Sequence, residues 1–241
     1  MNGRPVLLVV EHEEDAPPAL LAEVAAAAGV ELRVARPYAG DPLPDDLDGA
    51  AGLVVLGGEM GVGDAASWPH LRTTMALIRH AAERAAPVLG VCLGAQLAAE
   101  ALGGRAYPGP SGLEVGWVEV ALTPEGRDDP VVGALLDGDP GAPAVVFQWH
   151  KDTYDPPPGA SLLASGDRYR QQAFRLGSVV GIQFHPEVDA PTIAAWYAIA
   201  AGDPTPPPYP RAEALAGLPA ATPRARRLLD AFCQVAAQPG S

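Results

Sequence analysis

Cysteine is scarce. Only Cys92 and Cys233 occur in 241 residues, in contexts too different to suggest a designed bridge. That fits a reducing compartment and leaves each thiol to be judged alone. Basic residues are also few: 16 Lys+Arg against 29 Asp+Glu give a formal net charge of −13. Such a balance argues against nucleic acid or an anionic membrane as the main partner. No stretch approaches the roughly 20 apolar residues of a membrane span. The N-terminal run Pro5 to Val10 is too short for a signal-peptide core, so a cytoplasmic protein is expected. What is present is a hydrophobic fraction of 48%, enough for a real core, in a length suited to one sizeable α/β domain. The 27 Pro and 27 Gly follow no period and mark compositional bias rather than a fibrous repeat.

Val6 to Val10 is a short unbroken apolar run, the pattern of a strand buried on both faces of a parallel sheet. Pro17-Pro18 opens an Ala/Leu-rich helix that ends at Gly29. Val30 to Ala35 and Leu53 to Leu56 read as strands, Pro69 to Ala85 as a helix, Pro87 to Val91 as a fourth strand and Leu93 to Leu102 as the next helix. This alternation predicts a doubly wound, mostly parallel sheet flanked by helices, of the flavodoxin-like kind. After Arg105 the segments Leu113 to Leu122, Ala144 to Trp149, Ser161 to Ala164, Gln172 to Leu176 and Val179 to Phe184 are strand-like. They are expected to supply antiparallel additions and the last strands, with Ala190 to Ala201 as a closing helix. The proline-rich stretch from Asp203 to Pro210 reads as a stiff linker. Beyond it Thr222-Pro223 is expected to cap a final helix with Leu228, Leu229, Phe232, Val235 and Ala236 on one face. The expected division is thus a catalytic domain over 1–201 and an appendage over 202–241. The last helix offers either a docking surface or a face that packs back on the core. Cys233 reads as an inert part of it.

The chemistry gathers at three strand ends. Gly90-Val91-Cys92-Leu93-Gly94 sits where an apolar strand turns sharply into a helix, and the glycines remove side chains that would collide there. The helix dipole and free amides at such a site favour thiolate, and the Leu93 amide is placed to bind an oxyanion. A buried free cysteine among small residues is the bland alternative. His185 ends the run from Val179 to Phe184, and Glu187 lies two residues on, where extended backbone puts both on one face. The carboxylate can then hold the imidazole's tautomer, as a third triad member must. Taken alone, His-Pro-Glu reads as a turn. Leu56 to Gly61 ends the third strand, and Gly57 and Gly58 allow backbone amides to approach a ligand closely, though a tight turn would need glycine as well. His12, His70 and His80 fall outside every motif and are expected on the surface or within helices.

Gly90 to Gln96 resembles the nucleophile motif of class I glutamine amidotransferases, and Gly181 to Val188 resembles their His-Pro-Glu motif. Phe147 to Thr153, Pro158 to Ala160, Leu163 to Ser165, Gln172 to Phe174 and Glu114 to Trp117 are similar to stand-alone members related to the glutaminase part of GMP synthase. The resemblance covers about 1–190. It implies Cys92 as nucleophile, His185 as base and later acid, and Glu187 as the group that orients it. It further implies amides of Gly58 and Leu93 in the oxyanion hole, Gln96 in substrate binding, and His150 and Gln172 at the mouth of the site. For the last two, hydrogen-bonded loop residues are the alternative. The reaction implied is hydrolysis of the glutamine side-chain amide through a γ-glutamyl thioester, with ammonia passed to an acceptor, and no metal or cofactor. Glu59-Met60 stands where many members carry Pro and Ser or similar. No ATP-pyrophosphatase or Walker-type loop appears, so a separate synthetase or acceptor subunit is the expected partner. Two other readings stay open: a γ-glutamyl peptidase using the same triad, and a non-catalytic binding protein on the same fold.

Overall fold

An unbroken apolar strand needs cover on both faces, and Val6–Val10 has it. In the computed structural model, which describes residues 3–136, 138–139 and 141–238, Leu7 and Val9 enter one core cluster and Leu8 and Val10 the other. The first half of the chain runs β1 (Val6–Val10), α1 (Ala19–Ala27), β2 (Glu31–Ala35), β3 (Gly52–Val55), α2 (His70–Glu83), β4 (Val88–Val91) and α3 (Leu93–Ala101). The second half adds β5 (Arg105–Pro108), β6 (Glu114–Leu122), α4 (Pro124–Asp128), β7 (Ala144–His150), β8 (Asp152–Asp155), β9 (Ser161–Ser165), β10 (Ala173–Leu176), β11 (Val179–Ile182), α5 (Ala190–Ala200) and α6 (Arg211–Ala237).

The strands form one nine-stranded sheet in the order β2-β1-β3-β4-β11-β10-β9-β6-β7, with β5 and β8 paired apart from it. β2, β1, β3, β4 and β11 are mutually parallel, and β10, β9, β6 and β7 continue the sheet antiparallel. This is the expected α/β architecture with antiparallel additions. α1 and α6 cover one face through Leu20, Leu21, Val24, Leu228, Leu229 and Phe232. α2 and α3 cover the other through Leu71, Leu77, Ile78, Leu97 and Ala98.

Two local expectations need correction. β5 and β8 are strands that apolar patterning misses, since β5 carries Arg105 and Pro108 and β8 is Asp-Thr-Tyr-Asp. The last helix does not begin at a Thr222 cap. It starts at Arg211 and runs through Pro219 and Pro223, and the Thr222 hydroxyl donates to the Leu218 carbonyl at 2.7 Å. Each proline removes one helical hydrogen bond. Packing at both ends offsets the loss. Trp117 Nε1 donates to the Ala214 carbonyl at 2.9 Å, while Leu228, Leu229, Phe232, Cys233 and Ala236 are buried in the same core as β1 and β3. Residue 201 therefore divides the chain but not the core.

Phe232 is 1% exposed. Phe232→Ala is expected to lower stability by about 3 kcal/mol, the usual cost of emptying an aromatic core site. Denaturant unfolding at fixed m-value measures it. A loss under about 0.5 kcal/mol, the range of surface substitutions, would mean that α6 adds little to this face.

Candidate active site

Three neighbouring strands bring the three motifs to one edge of the sheet. In the registers of β3 with β4 and β11 with β4, Val55 pairs with Gly90 and Ile182 with Val91. The residues just beyond, Gly57, Cys92 and Gln183, therefore emerge side by side at the carboxyl ends, where ligands bind in doubly wound sheets. The Cys92 amide donates to the Ile182 carbonyl at 2.8 Å, holding the elbow against β11.

Cys92 has φ 52° and ψ −107°, a backbone conformation that side-chain-bearing residues adopt only under constraint. The constraint comes from β4 and α3 closing on each other. A Cβ on Gly90 would lie 2.5 Å from the Gly94 carbonyl, and one on Gly94 would collide with the Val55 carbonyl. The thiol is 5% exposed at the first turn of α3. It faces the Trp149 carbonyl at 3.8 Å and receives the Gln183 side-chain amide at 3.5 Å.

His185 Nδ1 and Glu187 Oε1 are 2.7 Å apart, and both residues are 4% exposed. The other ring nitrogen, Nε2, is buried with no hydrogen-bond partner among the described residues. Burial pulls the imidazole's pKa down, but the Glu187 carboxylate and the Cys92 sulfur outweigh it and raise the value to about 10. The ring thus interacts with both groups and holds its proton at neutral pH. Trp196 stands edge-on to it at 4.8 Å between centroids and limits its rotation. Gly57 closes the other side: a Cβ there would lie 3.1 Å from His185 Cε1 and 3.6 Å from Cys92 Cβ.

Gly58 lines the cleft, and Leu93 opens α3 beside Cys92. Among the described residues the amides of Gly58 and Leu93 have no acceptor. Gln96 also lines the cleft, its side-chain amide donating to the Asp152 carbonyl at 3.1 Å and to Gln183 Oε1 at 3.4 Å. His150 reaches the cleft wall, with Nδ1 2.8 Å from the Asp152 carbonyl and Nε2 3.0 Å from Glu114 Oε2. Gln172 does not line the mouth. It is fully buried, its amide nitrogen donating to Glu114 Oε2 and the Tyr169 carbonyl while its oxygen accepts from Gln148. It supports the wall that carries His150.

His12 also departs from expectation. It is fully buried rather than on the surface, stacked on His70 with centroids 5.3 Å apart. It lies beyond β1 and directly behind the glycine loop, its Cβ 3.2 Å from where a Gly58 Cβ would stand. Burial, then the nearby His70, drives its pKa down to about 3. His70 and His80 lie in α2 as expected. Two residues of the site went unread in sequence. Gln183 shares a strand face with His185 by the same two-residue spacing that links His185 to Glu187, and a polar side chain inside an apolar run was its signal. Glu114, 3% exposed, had no local signal because its partners come from β7 and the segment before β10.

The cleft has a volume of about 390 Å³. Its wall combines the elbow and the glycine loop with the segments after β1, β7 and α5. No helix among the described residues is long and apolar enough to cross a membrane.

Known proteins share this arrangement. A glutamine amidotransferase of Thermotoga maritima superposes with a TM-score of 0.87 at 25% identity, over 99% of this chain and 100% of that one. A glutamine-hydrolyzing GMP synthase subunit of Halobacterium salinarum is 36% identical over 154 residues, 60% of this chain and 70% of its own length. A glutamine amidotransferase-like protein of Salmonella typhimurium is 31% identical over 163 residues, 66% of each chain, so just under two thirds of that relative's length is spanned. The sequence model described as glutamine amidotransferase class-I matches residues 18–194, a stretch that takes in the elbow, the glycine loop and the His185–Glu187 pair, and the chain belongs to that family.

Proposed function

We propose that this protein hydrolyses the side-chain amide of glutamine, or of a γ-glutamyl compound, through a γ-glutamyl thioester on Cys92. One observation carries the reading: His185 is held by Glu187 at Nδ1, while its buried Nε2 has no partner among the described residues, beside a thiol set on a strained elbow. The sulfur attacks the γ-carbonyl, and the oxyanion accepts hydrogen bonds from the amides of Gly58 and Leu93. The imidazolium of His185 passes its proton to the departing nitrogen, and the C–N bond breaks. The neutral ring then takes a proton from water as it attacks the thioester, so glutamate leaves and sulfur is restored. Glu187 keeps the ring's tautomer and stabilises its charged form.

With glutamine the product is ammonia, which a separate synthetase would consume, as the name of the Halobacterium relative implies for that protein. A second reading, hydrolysis of a larger γ-glutamyl amide in the absence of a partner, draws support from the open cleft and its wall of carboxylates.

A glutamine analogue bearing an electrophile at the γ position tests the chemistry. One equivalent should attach to Cys92 and stop hydrolysis in proportion, while Cys233 stays unmodified. Attachment to Cys233, or full turnover by protein blocked at Cys92, would remove the thioester reading.

A further inference from the structure

The charges around the cleft do not balance. Glu13 and Asp15 come from the segment after β1, Glu59 from the glycine loop, Asp152 from the start of β8 and Asp203 from the segment after α5. Against these five carboxylates the cleft offers one lysine, Lys151, while the charge of His185 is already matched by Glu187. None of the five forms an ion pair among the described residues. Glu13 shows the cost of crowding: burial first, then the charges of Asp15 and Glu59, raise its carboxyl to about 7, although the Glu59 amide donates to it at 2.9 Å. Carboxylates that repel one another at a reactive cleft create a site for a cation. Two further features favour an organic cation. Trp149 and Trp196 line the same cleft, and aromatic rings attract ammonium groups. The buried, unpartnered Nε2 of His185 marks this cleft as one built to receive a ligand.

Every γ-glutamyl substrate brings one α-ammonium and one α-carboxylate. One acidic residue and Lys151 match that pair and leave four carboxylates over. Glutamine has nothing more to offer them, because its leaving group is ammonia.

We propose that the substrate is a γ-glutamyl amide of a diamine or polyamine, whose far, protonated amine is held by this carboxylate rim. The proposal rests on the thioester reading and names its leaving group. Sulfur attack breaks the amide C–N bond, and the amine departs with the proton from His185. Water then frees glutamate, so amide plus water gives glutamate plus diamine. The protein's net charge of −13 adds long-range attraction for such a cation.

The test compares kcat/KM for four substrates: the γ-glutamyl amides of diaminobutane, butylamine and aminobutyrate, and glutamine itself. The first three share length and differ in charge at the far end. The diaminobutane amide should exceed the butylamine amide by about tenfold at low salt, with the aminobutyrate amide slowest and the gap narrowing as salt rises. In the double variant Asp15→Asn, Asp203→Asn the ratio of cationic to neutral substrate should fall towards one. Equal rates for the three amides, or glutamine faster than all of them, would overturn the diamine assignment and leave the thioester chemistry standing. No turnover of any of the four, with no alkylation of Cys92, would overturn both.

Discussion

Cys92→Ala is expected to lower hydrolysis by roughly a thousandfold or more, because no thioester can form without the sulfur. The fold should survive the change. Alanine at this position meets the same unfavourable φ of 52° that cysteine already occupies, and the side chain shrinks beside an open cleft rather than inside a packed core. Cys92→Ser should fare little better, since a hydroxyl is a far weaker nucleophile than a thiolate near neutral pH. Cys233 is the control. It is fully buried among core side chains of the α6 face, and burial, with Asp230 nearby, pushes its thiol up to about 11. Cys233→Ala should therefore leave the rate within about twofold while costing some stability, of the order of 1 kcal/mol for a small core deletion. The measurements are steady-state rates and unfolding curves for both variants. Wild-type turnover in Cys92→Ala, with activity lost in Cys233→Ala, would mean that the other thiol is the nucleophile.

How much of this was legible before the structure depends on the range of the interactions concerned. The parallel strands could be read because burial on both faces leaves an apolar run with no alternation, as in Val6–Val10 and Val88–Val91. The elbow could be read because its glycines answer a local collision between β4 and α3. The His185–Glu187 contact could be read from a two-residue spacing. Each signal lies within a few residues of its cause. Features set by distant partners were not readable. Gln172 is recognisable as a polar residue in a strand-like run, but its burial follows from Glu114 and Gln148 on other strands. His12 looks like a loop residue until the glycine loop and His70 cover it. The prolines of α6 argue locally for a later start, and contacts to Trp117 at one end and to the sheet at the other override them. The acidic rim is the furthest case, since its carboxylates come from four separate segments between residues 13 and 203.

Glu187→Gln is expected to lower kcat by roughly a hundredfold or more, and to change its pH dependence as well. The geometry leaves the amide no good choice. Glu187 Oε1 sits 2.7 Å from His185 Nδ1, and Oε2 is buried with no partner among the described residues. If the amide oxygen takes the place of Oε1, its NH2 group is buried without an acceptor, a destabilising arrangement. If the amide turns over, its NH2 donates to Nδ1 and fixes the tautomer that places hydrogen on Nε2, so the neutral ring cannot accept a proton there. In both orientations the negative charge is gone. Burial already pulls the His185 pKa down, and the Glu187 carboxylate and Cys92 sulfur hold it up at about 10. Without the carboxylate it must fall. The ring supplies the leaving nitrogen's proton only while protonated, so the rate declines as pH rises through the imidazole's pKa. In Glu187→Gln that decline should therefore begin at lower pH than in the wild type. A residue that only filled space would lower the rate evenly and leave the alkaline limb where it was. His185→Ala should cost at least as much as Glu187→Gln and abolish the limb's dependence on this ring. The discriminating measurement is kcat/KM against pH for wild type and Glu187→Gln, together with a thermal melt to show that the variant is folded. A folded variant with wild-type kcat and an unmoved alkaline limb would remove Glu187 from the triad, whatever its distance from His185.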